Sequence, residues 1–193
     1  MSSRGRPVVT SHADIERAAF RLFAERGFEG TTLDAIAEAV GVGRRTLFRY
    51  FDSKNDIPWG QFDRTLDGFR SILAGMPDDL PVWEAVHRGV VEFNRFDPEA
   101  DPPHRERMEL LLRTPALQAH SVLRYADWRQ VIAEYVAQRL ELRPDGLLPE
   151  TVSQVSLALA LSGYQLWLAD EEASLTDLLE EAMSSLREYL ELG

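Results

Sequence analysis

Basic and hydroxyl-bearing side chains are concentrated in one short stretch, residues 44–50. It holds three arginines, Arg44, Arg45 and Arg49, together with Thr46 and Tyr50. Arginine can hydrogen-bond guanine through two parallel N–H groups, and hydroxyl groups can donate to phosphate oxygens. These residue types suit the base edges and phosphates of DNA. The alternative interpretation is a solvated basic turn between two packed helices.

The elements that would position this cluster have the spacing of a helix-turn-helix. The segment Gly41-Val42-Gly43 indicates a tight turn, and a helix is expected from about Arg44 to Phe51. In that helix Leu47 and Phe51 are four residues apart and share one face, so they should pack inward and leave the arginines exposed. In a helix-turn-helix the first helix braces the second, whose exposed face enters the major groove. The combination favours DNA recognition over a solvated turn.

The neighbouring segments carry helix boundary signals. Ser11 can cap a first helix that Gly27 would end, and Thr31 or Thr32 can cap the short second helix. A longer helix is expected from about Ser53 to Gly75. Lys54, near its start, would place a cation beside a helix N-terminus, which itself favours anions.

The charge distribution agrees with a local DNA footprint on an acidic protein. The net charge is −11, yet residues 1–55 carry a net of +2 and the remaining residues a net of −13. Only a local basic surface is needed to meet phosphates. Arg4 and Arg6 lie in a segment rich in small residues, where an arginine either contacts DNA or is merely solvated.

The remainder of the chain predicts helices separated by prolines and acidic residues, without a convincing run of β alternation. We expect an all-α protein of about nine helices. The predicted organisation is a flexible basic arm over residues 1–10, a helix-turn-helix DNA-binding domain over 11–55, and a ligand-sensing and dimerisation domain over 56–193.

Residues 11–57 resemble the DNA-binding domain of TetR-type regulators. The motifs that carry the resemblance lie at Phe23–Phe28, Thr31–Ala37, Gly41-Val42, Thr46–Phe51 and Ser53–Asp56. The resemblance implies a ligand-responsive transcriptional regulator, most often a repressor, that binds a double-stranded DNA operator. It also implies base contacts from the three arginines and phosphate contacts from the hydroxyl and lysine side chains. The DNA-binding residues expected are Arg44, Arg45, Thr46, Arg49, Tyr50, Lys54 and Thr32.

Three positions depart from the TetR pattern: Phe48 replaces a frequent tyrosine, Arg45 a small residue or proline, and Gly43 a serine that would cap the helix. We expect Arg45 to favour a G-rich operator. Two longer stretches, 45–63 and 115–129, are similar to regulators associated with mycofactocin biosynthesis genes. That similarity implies control of such redox-cofactor genes.

The TetR resemblance implies an effector cavity in the C-terminal half and a homodimer formed by the last two helices. Apolar stripes fit that role at Leu157–Leu168 and Leu175–Leu190, although a core seam within one chain would give the same pattern. An acyl chain or acyl-thioester is our expected effector. The residues expected to line its cavity are large and mixed in polarity: Phe62, Phe69, Phe93, Met108, Leu112, His120, Arg124, Tyr125, Trp128 and Trp167.

Other classes of protein fit the sequence less well. Its four histidines form no metal-ligand spacing, and no P-loop, Rossmann fingerprint or nucleophile elbow occurs, so neither a cofactor nor catalysis is expected. The uncharged run Thr151–Ala169 contains too many polar residues for a membrane span, and without a signal peptide the cytoplasm is expected. The remaining rival is a helical protein-binding module, whose partner binding would not depend on salt.

Overall fold

The computed structural model describes residues 10–192, and this part contains nine α-helices, one 3₁₀ helix and no β-strand. The all-α prediction is confirmed, and the predicted arm lies outside the described residues except for Thr10. The α-helices are α1 (His12–Gly30), α2 (Leu33–Ala39), α3 (Arg44–Leu47), α4 (Phe62–Ala74), α5 (Val82–Phe93), α6 (His104–Arg113), α7 (Pro115–Leu140), α8 (Leu147–Ala169) and α9 (Leu175–Glu191), and the 3₁₀ helix is Lys54–Trp59.

The first of two compact units comprises the described residues up to Phe62 together with 98–119. Its core is built by α1, α2, α3, the 3₁₀ helix and α6. Ile15, Ile36, Leu47 and Ile57 are fully buried in this core. Leu111 and Leu117, from α6 and the start of α7, belong to the same apolar cluster.

Capping explains where the first helices begin. Ser11 accepts a hydrogen bond from the Asp14 amide, and Asp14 accepts one from the Ser11 amide, which completes a capping box. Gly27 has φ +73° and breaks the helical backbone, as expected of a glycine at a helix end, but α1 continues beyond it to Gly30. The α2 cap is Thr32, whose hydroxyl accepts from the Ala35 amide 3.1 Å away. Thr31 instead donates from its hydroxyl to α1 carbonyls, those of Leu22 and Gly27.

Two predicted helix bounds are wrong. The helix expected from Arg44 to Phe51 ends at Leu47 and continues as turns. The single helix expected from Ser53 to Gly75 is instead the 3₁₀ helix, a break at Gly60 with φ +60°, and α4. Pro58 lacks an amide hydrogen and disfavours the α conformation in the residue before it, so an α-helix cannot run through this segment undisturbed.

The second unit comprises residues 63–97 and 120–192 and packs α5, α8 and α9 with most of α4 and α7. Phe69, Leu73, Val90, Ile132 and Leu179 are almost completely buried in it. Two close helix approaches depend on glycine. A Cβ at Gly89 would lie 2.4 Å from Leu73 Cδ2, and one at Gly163 would lie 2.9 Å from Leu179 Cδ2.

The compact units divide the chain differently from the predicted domains. Residues 98–119, expected in the sensing domain that starts at residue 56, pack with the N-terminal unit. The apolar residues Leu111 and Leu117 account for this placement. No helix within residues 10–192 is both long and apolar enough to cross a membrane.

Candidate DNA-binding interface and effector site

Helix α3 presents its basic residues outward. Leu47 is its buried anchor, with none of its surface exposed, whereas Arg44, Arg45 and Arg49 are exposed and Thr46 is half-buried. The Gly43 side of the turn provides no side-chain hydrogen bond to the helix start, consistent with the missing serine. The three arginines predicted to contact DNA are therefore accessible to solvent.

The three arginines differ in what holds them. Arg44 lies 3.3 Å from an Asp34 carboxylate oxygen, and its guanidinium is 5.5 Å from the centre of the Phe48 ring. Among the described residues, Arg45 and Arg49 have neither an ion pair nor a hydrogen bond from the side chain. These two arginines can bind DNA without breaking an ion pair, whereas Arg44 would have to leave Asp34 or bind DNA and Asp34 together.

Three other predicted DNA contacts already make internal hydrogen bonds. Tyr50 donates to the Thr10 carbonyl at 2.7 Å, and the Thr32 hydroxyl accepts the capping bond described above. Lys54 donates to the carbonyls of Phe28 and Thr31 at 2.7 and 3.0 Å and lies 4.2 Å from the centre of the Phe28 ring. The sequence did not predict that Lys54 tethers the 3₁₀ helix to the end of α1. Phe28, Thr31 and Lys54 all lie in the TetR-like motifs, but Lys54 is more than twenty residues from the other two in the sequence.

The predicted effector residues fall into both units. Phe62, Met108 and Leu112 lie in the first unit, and the other seven lie in the second. Phe62 meets Trp59 edge to face, with ring centres 4.9 Å apart, and Met108 packs on the first unit's apolar cluster.

An aromatic cluster joins three of the predicted effector residues in the second unit. Phe69 stacks on Trp128 with ring centres 5.3 Å apart, and Phe93 lies 4.5 Å from Phe69. Burial raises the pKa of Tyr125, so its phenol stays protonated and can act as a donor. Arg124 is 3.6 Å from an Asp63 carboxylate oxygen, and His120 is half-buried.

Tyr164 is a buried polar residue that the sequence reasoning placed in a dimerisation stripe. Its hydroxyl donates to the Asn94 side-chain carbonyl at 2.7 Å, and Asn94 in turn donates to the Val90 carbonyl. Burial, then the nearby Tyr125, raises the pKa of Tyr164 well above its usual value. The ring meets Trp167 edge to face at 6.0 Å. Tyr164 therefore belongs to the core of its own chain.

The second unit also has a cavity of about 290 Å³ that the sequence did not indicate. None of the predicted effector residues lines it. Its lining residues come from α4, α7 and the segment after α4: Arg70, Leu73, Ala74, Met76, Asp78, Val131, Glu134, Tyr135, Gln138 and Arg139.

Comparison with known proteins assigns both parts of the chain. A family model described as "Bacterial regulatory proteins, tetR family" matches residues 15–57, and one described as "MftR C-terminal domain" matches residues 80–191. The chain belongs to the TetR family. Its members are DNA-binding transcriptional regulators rather than enzymes, and ligand-responsive repression is typical of them.

Relatives of this TetR-family protein agree with the assignment. It is 42% identical over 178 residues to a Mycobacterium tuberculosis protein named "Putative mycofactocin biosynthesis transcriptional regulator MftR", covering 92% of this chain and 90% of that one. FadR of Bacillus halodurans, a fatty acid degradation regulator, shares the fold with a TM-score of 0.63, 22% identity and coverage of 90% and 96%. Thermus thermophilus FadR, solved with lauroyl-CoA, has a TM-score of 0.57, 23% identity and coverage of 90% and 92%.

TetR-family regulators bind DNA operators, dimerise and bind small ligands. The tetR family model matches residues 15–57, which lie in the unit that carries α2 and α3. Within residues 10–192 no group of three or more metal-ligating side chains could hold a metal ion.

Proposed function

We propose that this TetR-family protein is a cytoplasmic repressor of mycofactocin-type redox-cofactor genes. It binds its operator as a homodimer and leaves it when a small effector binds. The 42% identity to the M. tuberculosis regulator over most of both chains supports the choice of target genes.

The observation that carries the DNA-binding proposal is a pair of exposed arginines that have no ion pair or side-chain hydrogen bond among residues 10–192. Arg45 lies on α3, and Arg49 lies in the turn that follows it. A guanidinium with no internal partner loses no protein contact when it binds guanine O6 and N7. Arg44 is the third proposed base contact. Thr46, Tyr50, Lys54 and Thr32 complete the proposed interface, mainly through phosphates.

The proposed dimer interface is formed by α8 and α9. Leu175 and Leu179 are buried within their own chain, so those stripe positions serve the monomer core. Leu166 and Leu190, in contrast, are 60% and 71% exposed, and Leu166 shares its helix face with the small residues Ser162 and Ala169. Small residues allow two helices to approach closely, and a two-fold dimer would bury these leucines. A dimer would present its two α3 helices to successive major grooves about 34–36 Å apart.

The proposed effector is an apolar acyl chain or acyl-thioester held in the second unit. An acyl chain would pack against the aromatic cluster of Phe69, Phe93 and Trp128, in which Phe69 and Trp128 are buried, and Tyr125 and Arg124 are donors for a carbonyl or an anionic group. His120 and Trp167, which lie in the same unit, remain proposed contacts. The lauroyl-CoA complex of a protein with the same fold supports this ligand class.

The experiment that tests this function combines operator binding with release. The protein is incubated with a fluorescent duplex from upstream of its own gene, and lauroyl-CoA is then titrated in, with coenzyme A alone as the control. If lauroyl-CoA reverses specific binding and coenzyme A does not, the result supports both the operator binding and the effector class. Binding that no acyl-CoA chain length reverses overturns the effector class, and failure to bind this duplex overturns the proposed target.

A further inference from the structure

The guanidinium group of Arg107 links three elements of the first unit, α6, α1 and the 3₁₀ helix, by hydrogen bonds. Arg107, on α6, donates from one terminal nitrogen to a Glu16 carboxylate oxygen on α1 at 2.6 Å. Its other terminal nitrogen donates to the Pro58 carbonyl in the 3₁₀ helix, also at 2.6 Å. Its planar group lies 5.2 Å from the centre of the Phe20 ring. Arginine suits this role because its rigid fork directs several N–H groups at once.

This ion pair is unlike the exposed ion pairs of the molecule. The side chains of Arg107 and Glu16 are 19% and 11% exposed, whereas most of the other ion-paired side chains among the described residues are more than 40% exposed. Exposed pairs contribute little because water screens them. A pair removed from water is different, since loss of either partner leaves the other charge buried without compensation.

The carboxylate of Glu16 also lies close to the backbone at the end of the 3₁₀ helix. Gly60 ends the 3₁₀ helix with φ +60°, and a Cβ there would lie 3.1 and 3.2 Å from the two carboxylate oxygens of Glu16. Backbone and carboxylate therefore approach so closely that a side chain at residue 60 would crowd them. Arg107, Glu16 and Gly60 together fix the end of the 3₁₀ helix against α1.

The 3₁₀ helix follows α3 after six residues, so its position restrains that of α3. Its first residue, Lys54, is bonded to the carbonyls of Phe28 and Thr31. Its last turn is bonded to Arg107 through Pro58. The helix is thus attached to the unit at both ends, and Arg107 supplies a polar attachment from outside residues 11–62.

We propose that Arg107 and Glu16 are positioning residues for operator recognition: their buried ion pair sets the 3₁₀ helix, and through it the basic face of α3. Neither residue contacts DNA in this account. Helix α6 is consequently a working part of the DNA reader, although it lies more than forty residues beyond α3 in the sequence.

The test compares specific with non-specific DNA binding in full-length variants. Arg107→Met removes both hydrogen bonds, and Glu16→Gln keeps the side-chain shape while removing the charge. Arg88→Met is the matched control, because Arg88 pairs with Glu84 on α5 at 58% exposure. Affinity is measured by fluorescence anisotropy for an operator selected from random DNA and for a scrambled duplex. The folded fraction is checked by circular dichroism at the same temperature.

A positioning role predicts that Arg107→Met and Glu16→Gln lose about tenfold in operator affinity, as one mismatched base pair costs, and retain their affinity for scrambled DNA. The control should change operator affinity by less than about twofold. The proposal would be overturned if a variant lost affinity for both duplexes equally, in proportion to its unfolded fraction. It would also be overturned if Glu16→Gln discriminated between operator and scrambled DNA as well as the wild type does. If Arg107→Met does not fold, Glu16→Gln decides alone. Failure of the wild-type protein to select any duplex would instead refute the proposed function.

Discussion

Tyr50 donates its phenolic hydrogen to the carbonyl of Thr10, forty residues earlier, across 2.7 Å. The bond joins the turn that follows α3 to the residue that precedes Ser11, the cap of α1. His12 packs edge to face against the same ring, with centres 4.9 Å apart. The phenol thus already has a structural role in the protein without DNA, alongside the phosphate contact proposed for it.

Tyr50→Phe should lower the free energy of unfolding by about 1 kcal/mol, because it removes one hydrogen bond and leaves the Thr10 carbonyl without that donor. The measurement is urea unfolding followed by circular dichroism. Operator affinity reports the second role independently. An unchanged free energy of unfolding would show that the Tyr50–Thr10 bond does not stabilise the folded protein.

Lys54→Met should lower the free energy of unfolding by about 2 kcal/mol, since hydrogen bonds from a charged donor are stronger than neutral ones. The methionine keeps most of the apolar stem over Phe28 and removes both bonds to the carbonyls of Phe28 and Thr31. Arg95→Met is the control, because Arg95 forms an exposed ion pair with Glu92. If the two variants lose the same stability, Lys54 is not a structural tether.

Two glycines in the second unit should respond in opposite ways to alanine. Gly89→Ala should lower the free energy of unfolding by about 1–3 kcal/mol, because its methyl group would overlap Leu73. Gly68→Ala, on α4, meets no atom within 4 Å and should raise it by about 0.5–1 kcal/mol through helix propensity. Thermal unfolding of both variants provides the comparison, and stabilisation by Gly89→Ala would contradict the close packing of α4 and α5.

Stability should fall in mild acid because of His104. Burial, and then the charge of Arg107, lowers the pKa of His104 to about 3. Below its unfolded pKa of about 6.5 the unfolded chain binds a proton that the folded protein excludes, so stability decreases as the pH falls from about 6.5 towards 3.

Between pH 7 and pH 5 this effect should amount to about 1–2 kcal/mol. It is measured as the difference in pH dependence between wild type and His104→Gln, which cancels the contribution of the carboxylates. If the two proteins had identical pH dependence, the pKa of His104 would not be lowered in the folded protein.

Much of the fold follows from local signals in the sequence. The Ser11 cap, the break at Gly27 and the inward face of Leu47 all rest on contacts within a few residues, and all were predicted. The continuous helix expected from Ser53 is wrong, because the chain forms a 3₁₀ helix that contains Pro58 and ends at Gly60 before α4 begins. Those two residues are local signals as well, and they favoured the break that the structure has.

The contacts that the sequence did not reveal join distant residues. Nothing near Arg107 indicates that it pairs with Glu16, and α6 was assigned to the sensing domain because chain order was the available guide. Tyr164 follows an apolar stripe in α8, and that pattern cannot distinguish a partner chain from Asn94 of the same chain. Lys54 was expected at a phosphate because its type suits one, although two carbonyls of its own chain accept its hydrogens.

The most direct test of the central claim is the salt dependence of operator binding by the wild-type protein and by the double variant Arg45→Ala/Arg49→Ala. For the wild type, the logarithm of affinity should fall linearly with the logarithm of salt concentration, by about 0.9 per phosphate contact. The variant should lose discrimination between operator and scrambled DNA, by about tenfold or more for each guanine contact. Salt-independent binding, or unchanged discrimination in the double variant, would contradict the assignment of α3 as the DNA reader.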